Sequence, residues 1–173
     1  AADDAEAIAE LAASLRARGL AVGVSAPRRD PAGLHEAIRE AELLAELGAG
    51  EDAPPNRHDE TYRLLIGVLL RDPAELEQLR DSTVRSLQAY DVRHDTDLLC
   101  TLCAFLAYDG STTETAEAMQ LHRHTVGYRL SRVQAVSGLS PYESDGRERL
   151  SLGLKAQQIL DAARRLEAGQ PPR

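Results

Sequence analysis

Between Gln120 and Val133 the chain carries Arg123, Arg129 and Arg132, the imidazoles of His122 and His124, and no carboxylate. The whole chain has a formal charge of −8, so this is a local reversal of sign. A guanidinium forks onto guanine O6 and N7 or onto phosphate oxygens, which suits the stretch to double-stranded DNA. Arg123, His124 and Thr125 are expected to reach base edges. Tyr128, Arg129 and Arg132 are expected to hold phosphates. Thr112 and Thr113 add hydroxyls and backbone N–H groups for a further phosphate. The plainer alternatives are a solvated helix face for the arginines, inward packing for Tyr128 and simple capping for the two threonines.

Other constellations carry less. Cys100 and Cys103 have the spacing of a metal half-site or a redox pair, but there is no second cysteine pair to complete structural zinc. They fall in an apolar helix, where cysteine is an ordinary small core residue. His122 could serve as a pH-sensitive contact, or as a cap or packing residue. Asp3, Asp4, Glu6 and Glu10 read as a solvated face. No glycine-rich phosphate loop, nucleophile elbow or paired-carboxylate pocket stands out. The expectation is therefore no enzyme, no cofactor and no metal.

The basic residues need a scaffold, and residues 111–133 supply one. Ser111 with Glu114 makes a capping box for a first short helix, in which Ala116 and Met119 face inward. Gln120–Leu121 forms a tight turn that Leu121 plugs. A second helix of about 122–133 then places Val126, Leu130 and Val133 on one face and the basic residues on the other. This is the build of a helix-turn-helix, whose second helix enters the major groove.

Upstream, residues 3–18 form an amphipathic helix with Ile8, Leu11 and Leu15 on its stripe. Leu20–Ser25 reads as a strand. Pro31 opens a second helix with Leu34, Ile38, Ala41, Leu44 and Leu47 roughly on one side. One strand alone is not a sheet, so its partners come from residues 64–70, from outside this chain or from another copy. Residues 49–60, with Pro54–Pro55, read as a linker. The apolar run 61–70 fits either helix or buried strand and is assigned as helix. Asp72–Pro73 starts a helix running to about Tyr90. Thr96 or Asp97 caps the next, through Tyr108. Ser140–Pro141 starts a short helical turn, and a last helix runs from Asp145 to about Ala168. Its stripe of Leu152, Ala156, Ile159, Ala163 and Leu166 could dock on the core or pair with a second chain.

Composition agrees. Hydrophobic residues at 43% permit a real core, and aromatic residues at 3% without tryptophan make it aliphatic. Residues 1–94 hold 11 Lys+Arg against 18 Asp+Glu, and residues 95–173 hold 9 against 10, so the acidity lies mainly upstream. That balance argues against a general nucleic-acid binder but leaves room for a local basic face. No run approaches the roughly 18–20 apolar residues of a membrane helix, and two cysteines make no disulfide framework, so a cytoplasmic location without membrane association is expected.

Residues 91–160 resemble the carboxy-terminal DNA-binding domain of PucR/CdaR-type bacterial transcriptional regulators. The matching residues are Asp97-Leu98-Leu99, Thr101-Leu102, Phe105-Leu106, Gly110-Ser111, Thr115-Ala116, Leu121 to Val126, Tyr128-Arg129-Leu130 and Arg132-Val133. Where the family usually has His-Arg-Asn-Thr, this chain has His124 in place of the asparagine. The helix–strand–helix resembles the last part of the GGDEF-like domain that precedes the module in such regulators. The GGDEF signature is absent, so no cyclase activity is implied.

The expected fold class is mainly α: a helical bundle with a helix-turn-helix, preceded by a small truncated α/β segment. The domains are a GGDEF-like remnant at 1–48, a linker at 49–60 and a helical DNA-binding domain at 61–173. The expected function is sequence-specific DNA binding in transcriptional control, as a homodimer. Any small-molecule effector is expected to be sensed by regions outside this chain. The alternative is a helical dimerisation or effector-sensing module that uses the same shape for protein contacts.

Overall fold

The computed structural model describes residues 2–28, 30–48 and 60–169. Their regular structure is helical: α1 (Ala2–Ala17), α2 (Leu34–Leu47), α3 (Glu60–Arg71), α4 (Pro73–Asp81), α5 (Arg85–His94), α6 (Leu98–Ala107), α7 (Thr112–Ala118), α8 (Arg123–Ser137) and α9 (Ser144–Glu167), with one 3-10 turn at Pro31–Gly33. Most of the expected linker, residues 49–59, lies outside the described residues. Two compact units are present, one drawn from residues 1–73 and 158–173 and the other from residues 74–157.

In the first unit the expected strand at Leu20–Ser25 is absent; the segment is irregular. Its polar groups are satisfied by side chains instead of a ladder. Arg16 donates to the Val22 carbonyl at 3.1 Å and Arg63 to the Val24 carbonyl at 2.8 Å. The Ala26 N–H donates to Glu40 at 3.2 Å. Gly23 lies so close to α2 that a Cβ would overlap the Ala41 carbonyl. A chain pinned at these points does not depend on a neighbouring strand to satisfy its backbone.

The apolar stripes are also rotated from their expected positions. On α1, Ala12 is buried while Ile8 and Leu11 are 50% and 60% exposed. On α2 the buried residues are Glu40, Leu43, Glu46 and Leu47, and Leu34 and Ile38 face outward. The two inward glutamates explain the difference. Glu40 pairs with Arg28 at 3.1 Å and Arg63 at 2.8 Å, and Glu46 pairs with Arg165 at 2.5 Å. A carboxylate matched to guanidinium groups can occupy an inward position that periodicity reserves for leucine. The run 61–70 is helix, as assigned, with Tyr62, Leu65 and Ile66 buried.

In the second unit the single helix expected from Asp72 to Tyr90 is broken between α4 and α5. Thr83 bonds back to the Leu79 carbonyl at 2.7 Å, and Ser82 to the same carbonyl at 3.1 Å, which competes with helix continuation. The core of this unit joins Val84 and Leu87 of α5, Leu98 and Leu102 of α6, Val133 of α8, Leu139, and Leu150 and Leu154 of α9. A second cluster joins Phe105, Ala116, Val126 and Leu130, with Leu121 packed against it. The helical turn expected at Ser140–Pro141 is a plain turn leading into α9.

Candidate nucleic-acid interface

The interface is built on α7 and α8. Ser111 caps α7 by accepting from the Glu114 N–H at 3.3 Å. Gln120 adopts a positive φ of 55°, and the Leu121 N–H returns to the Ala116 carbonyl at 2.9 Å. This closes the turn at the expected place. Ala116 is buried between the two helices, whose close approach a larger side chain would obstruct. His122 caps α8 by accepting from the His124 N–H on its Nδ1 at 3.3 Å. The two imidazoles stack with centroids 5.0 Å apart. Gly138, in the left-handed region at φ 73°, ends the helix.

Buried Val126, Leu130 and Val133 hold α8 against the core. That leaves Arg123, His124 and Thr125 exposed in its first turn, with Tyr128 one turn on and 66% exposed. Of the helix-start hydroxyls, Thr113 is exposed and Thr112 is half-buried. These six expected site residues therefore lie on α7 or the start of α8.

Arg129 and Arg132 have other commitments. Arg129 donates to the Thr101 hydroxyl and the Asp97 carboxylate, both at 3.1 Å. Arg132 donates to the Tyr90 hydroxyl at 2.7 Å, with its guanidinium 5.4 Å from the centre of that ring. The Tyr90 hydroxyl raises the titration of Arg132 further above its ordinary range. Both arginines were expected on phosphates, and both fasten α8 to neighbouring helices. Replacing Arg132 by alanine is accordingly expected to lower the melting temperature, because the Tyr90 hydroxyl loses its donor. The salt dependence of DNA binding should stay unchanged. A slope smaller by about one unit in log[salt] would return Arg132 to the phosphates.

Sequence reasoning missed the support beneath this surface. Asp91 of α5, not Thr96 or Asp97, caps α6: its carboxylate accepts from the N–H groups of Leu98 at 2.8 Å and Leu99 at 2.9 Å and from the Thr96 hydroxyl at 2.6 Å. Tyr90 precedes it in sequence and anchors Arg132 of α8. An acid seven residues before a helix start, or a tyrosine 42 residues from its arginine, leaves no periodic signal.

Of the two cysteines of α6, Cys100 is exposed and Cys103 belongs to the packing. Cys103 sits against the core cluster, and burial, with Cys100 adding to it, pushes its thiol up to about 11. Such a thiol is protonated at neutral pH and is a poor metal ligand or nucleophile. Among the described residues no cluster of three or more His, Cys, Asp or Glu side chains is placed to hold a metal ion.

Residues 98–156 match the family model of the PucR C-terminal helix-turn-helix domain. The matched residues take in α6, α7, α8 and the first half of α9, and so contain the exposed α8 surface described above. The chain is similar to the purine catabolism regulatory protein of Bacillus subtilis, 34% identical over 86 residues, which are 50% of this chain and 16% of that protein. It is similar also to the transcriptional activator PmfR of Paenarthrobacter nicotinovorans, 36% identical over 73 residues, 42% of this chain and 15% of that one. The matched residues thus span about a sixth of the length of these curated relatives. A crystal structure of a regulator of polyketide synthase expression from Bifidobacterium adolescentis is similar at a TM-score of 0.48 and 24% identity, over 75% of this chain and 53% of that one.

Proposed function

We propose that this chain acts in transcriptional control by sequence-specific binding of double-stranded DNA, with the amino-terminal part of α8 in the major groove. The observation that carries this reading is the exposed first turn of α8, where Arg123, His124 and Thr125 project from a PucR-type helix-turn-helix that has no acid between Gln120 and Val133. Arg123 forks onto a base edge, His124 and Thr125 contact neighbouring bases, and Tyr128, Thr112 and Thr113 reach the backbone. One module of this size makes few contacts, so the working form is a homodimer on two half-sites about 34 Å apart. The setting is the cytoplasm. Among the described residues no helix is long and apolar enough to cross a membrane. Residues 1–48 act as the remnant of a GGDEF-like domain, a reading supported by the order of helix, connecting segment and helix.

Selection of bound DNA from a random pool tests this. The expected result is a single enriched motif repeated with two-fold symmetry, its half-sites one helical turn or a multiple apart. A pool that stays random after repeated rounds at moderate salt would reject the reading. It would favour a helical module that uses the same surface for protein contacts, as the overall charge of −8 would suit.

A further inference from the structure

With Arg129 and Arg132 engaged inside the fold, the interface has few cations left for the DNA backbone. One more lies on α9. Arg147 is half-buried, and its side chain has no ion-pair or hydrogen-bond partner among the described residues. Its place is set by Gly110, the residue before the α7 cap Ser111. A Cβ built on Gly110 would stand 2.8 Å from Arg147 Nη1 and 3.5 Å from the Phe105 ring. The missing side chain at Gly110 thus leaves the room that the guanidinium fills. Gly110 also has φ 83°, which a residue with a side chain rarely adopts. The backbone N–H of Arg147 is satisfied within α9, donating to the Glu143 carbonyl at 2.9 Å. Its charged end therefore rests at the Gly110–Ser111 turn, next in sequence to Thr112 and Thr113.

A half-buried guanidinium without an ion-pair partner in the fold is left able to meet an anion from outside it. The neighbouring arginines show the contrast, since Arg129 has Asp97 and Arg132 has the Tyr90 hydroxyl. In a helix-turn-helix the first helix of the pair crosses the DNA backbone, and the Gly110–Ser111 turn leads into that helix. We infer that Arg147 of α9 is a DNA-phosphate contact, held at the start of α7 by the space that Gly110 leaves. This inference rests on the DNA-binding reading above. It adds α9 to the interface and transfers to Arg147 the backbone role that spacing alone gives to Arg129 and Arg132.

The test uses the full chain and duplex DNA carrying the selected motif, with affinity measured over a range of salt. Arg147→Gln removes the charge and keeps the length of the side chain. It should weaken binding to motif and random DNA alike and make the slope of log K against log[salt] shallower by about 0.9. The selected motif should stay the same. Arg147→Lys, which keeps the charge, should restore the slope. A thermal melt of both variants close to that of the unaltered chain is expected, since no partner inside the fold is lost. An unchanged slope in Arg147→Gln overturns the assignment and leaves the DNA-binding reading standing. Failure of the unaltered chain to bind any duplex overturns both.

Discussion

Replacing Phe105 by alanine is expected to cost about 3–5 kcal/mol and to abolish DNA binding together with the fold of the second unit. Phe105 is the single phenylalanine of the chain and is 1% exposed. It stands where three helices meet: it belongs to α6 and packs with Ala116 of α7 and with Val126 and Leu130 of α8. The ring of Tyr142 meets it edge-on at 5.6 Å, and a Cβ at Gly110 would stand 3.5 Å from it. No neighbour is placed to refill the space, because Ala116 is small and Val126 and Leu130 are held by the helix they anchor. The cavity term therefore adds to the lost transfer energy. Phe105→Leu keeps most of the volume and should cost under about 1.5 kcal/mol. Denaturant unfolding followed by helical circular dichroism separates the two variants. Similar midpoints for Phe105→Ala and the unaltered chain would mean that this cluster does not hold α7 and α8 in register.

The parts of this arrangement that could be read from the sequence are those governed by neighbours a few residues apart. The Ser111 cap, the turn at Gln120–Leu121 and the inward Val126, Leu130 and Val133 all follow from local rules. What escaped depends on partners far along the chain. Glu40 and Glu46 look like surface residues until Arg28, Arg63 and Arg165 come beside them, and their burial turns Leu34 and Ile38 outward. Leu20–Ser25 has the composition of a strand, and strand formation is decided by a ladder that side chains of Arg16, Arg63 and Glu40 replace here. The same limit explains the candidate interface. Counting arginines on the outer face of α8 finds Arg123, Arg129 and Arg132 equally, yet only tertiary contacts tell that the latter two face Asp97, Thr101 and Tyr90.

Arg123 is the residue for which stability and recognition should move in opposite directions. It occupies the first position of α8, where the unpaired N–H groups and the helix dipole make a positive charge unfavourable by about 0.3–1 kcal/mol. His122, the cap, lies beside it, and no carboxylate is paired with Arg123 among the described residues. A cation in that position weakens its own helix, so its use has to lie elsewhere. Replacing Arg123 by alanine is therefore expected to leave the melting temperature unchanged or raise it slightly. The same change should remove about 1–3 kcal/mol of discrimination at one base position of the selected motif. Repeating the random-pool selection on the variant reads this out directly: one column of the motif should flatten while the others persist. A motif identical to that of the unaltered chain would remove Arg123 from the base-reading set. A variant that melts several degrees lower would show that Arg123 supports the fold.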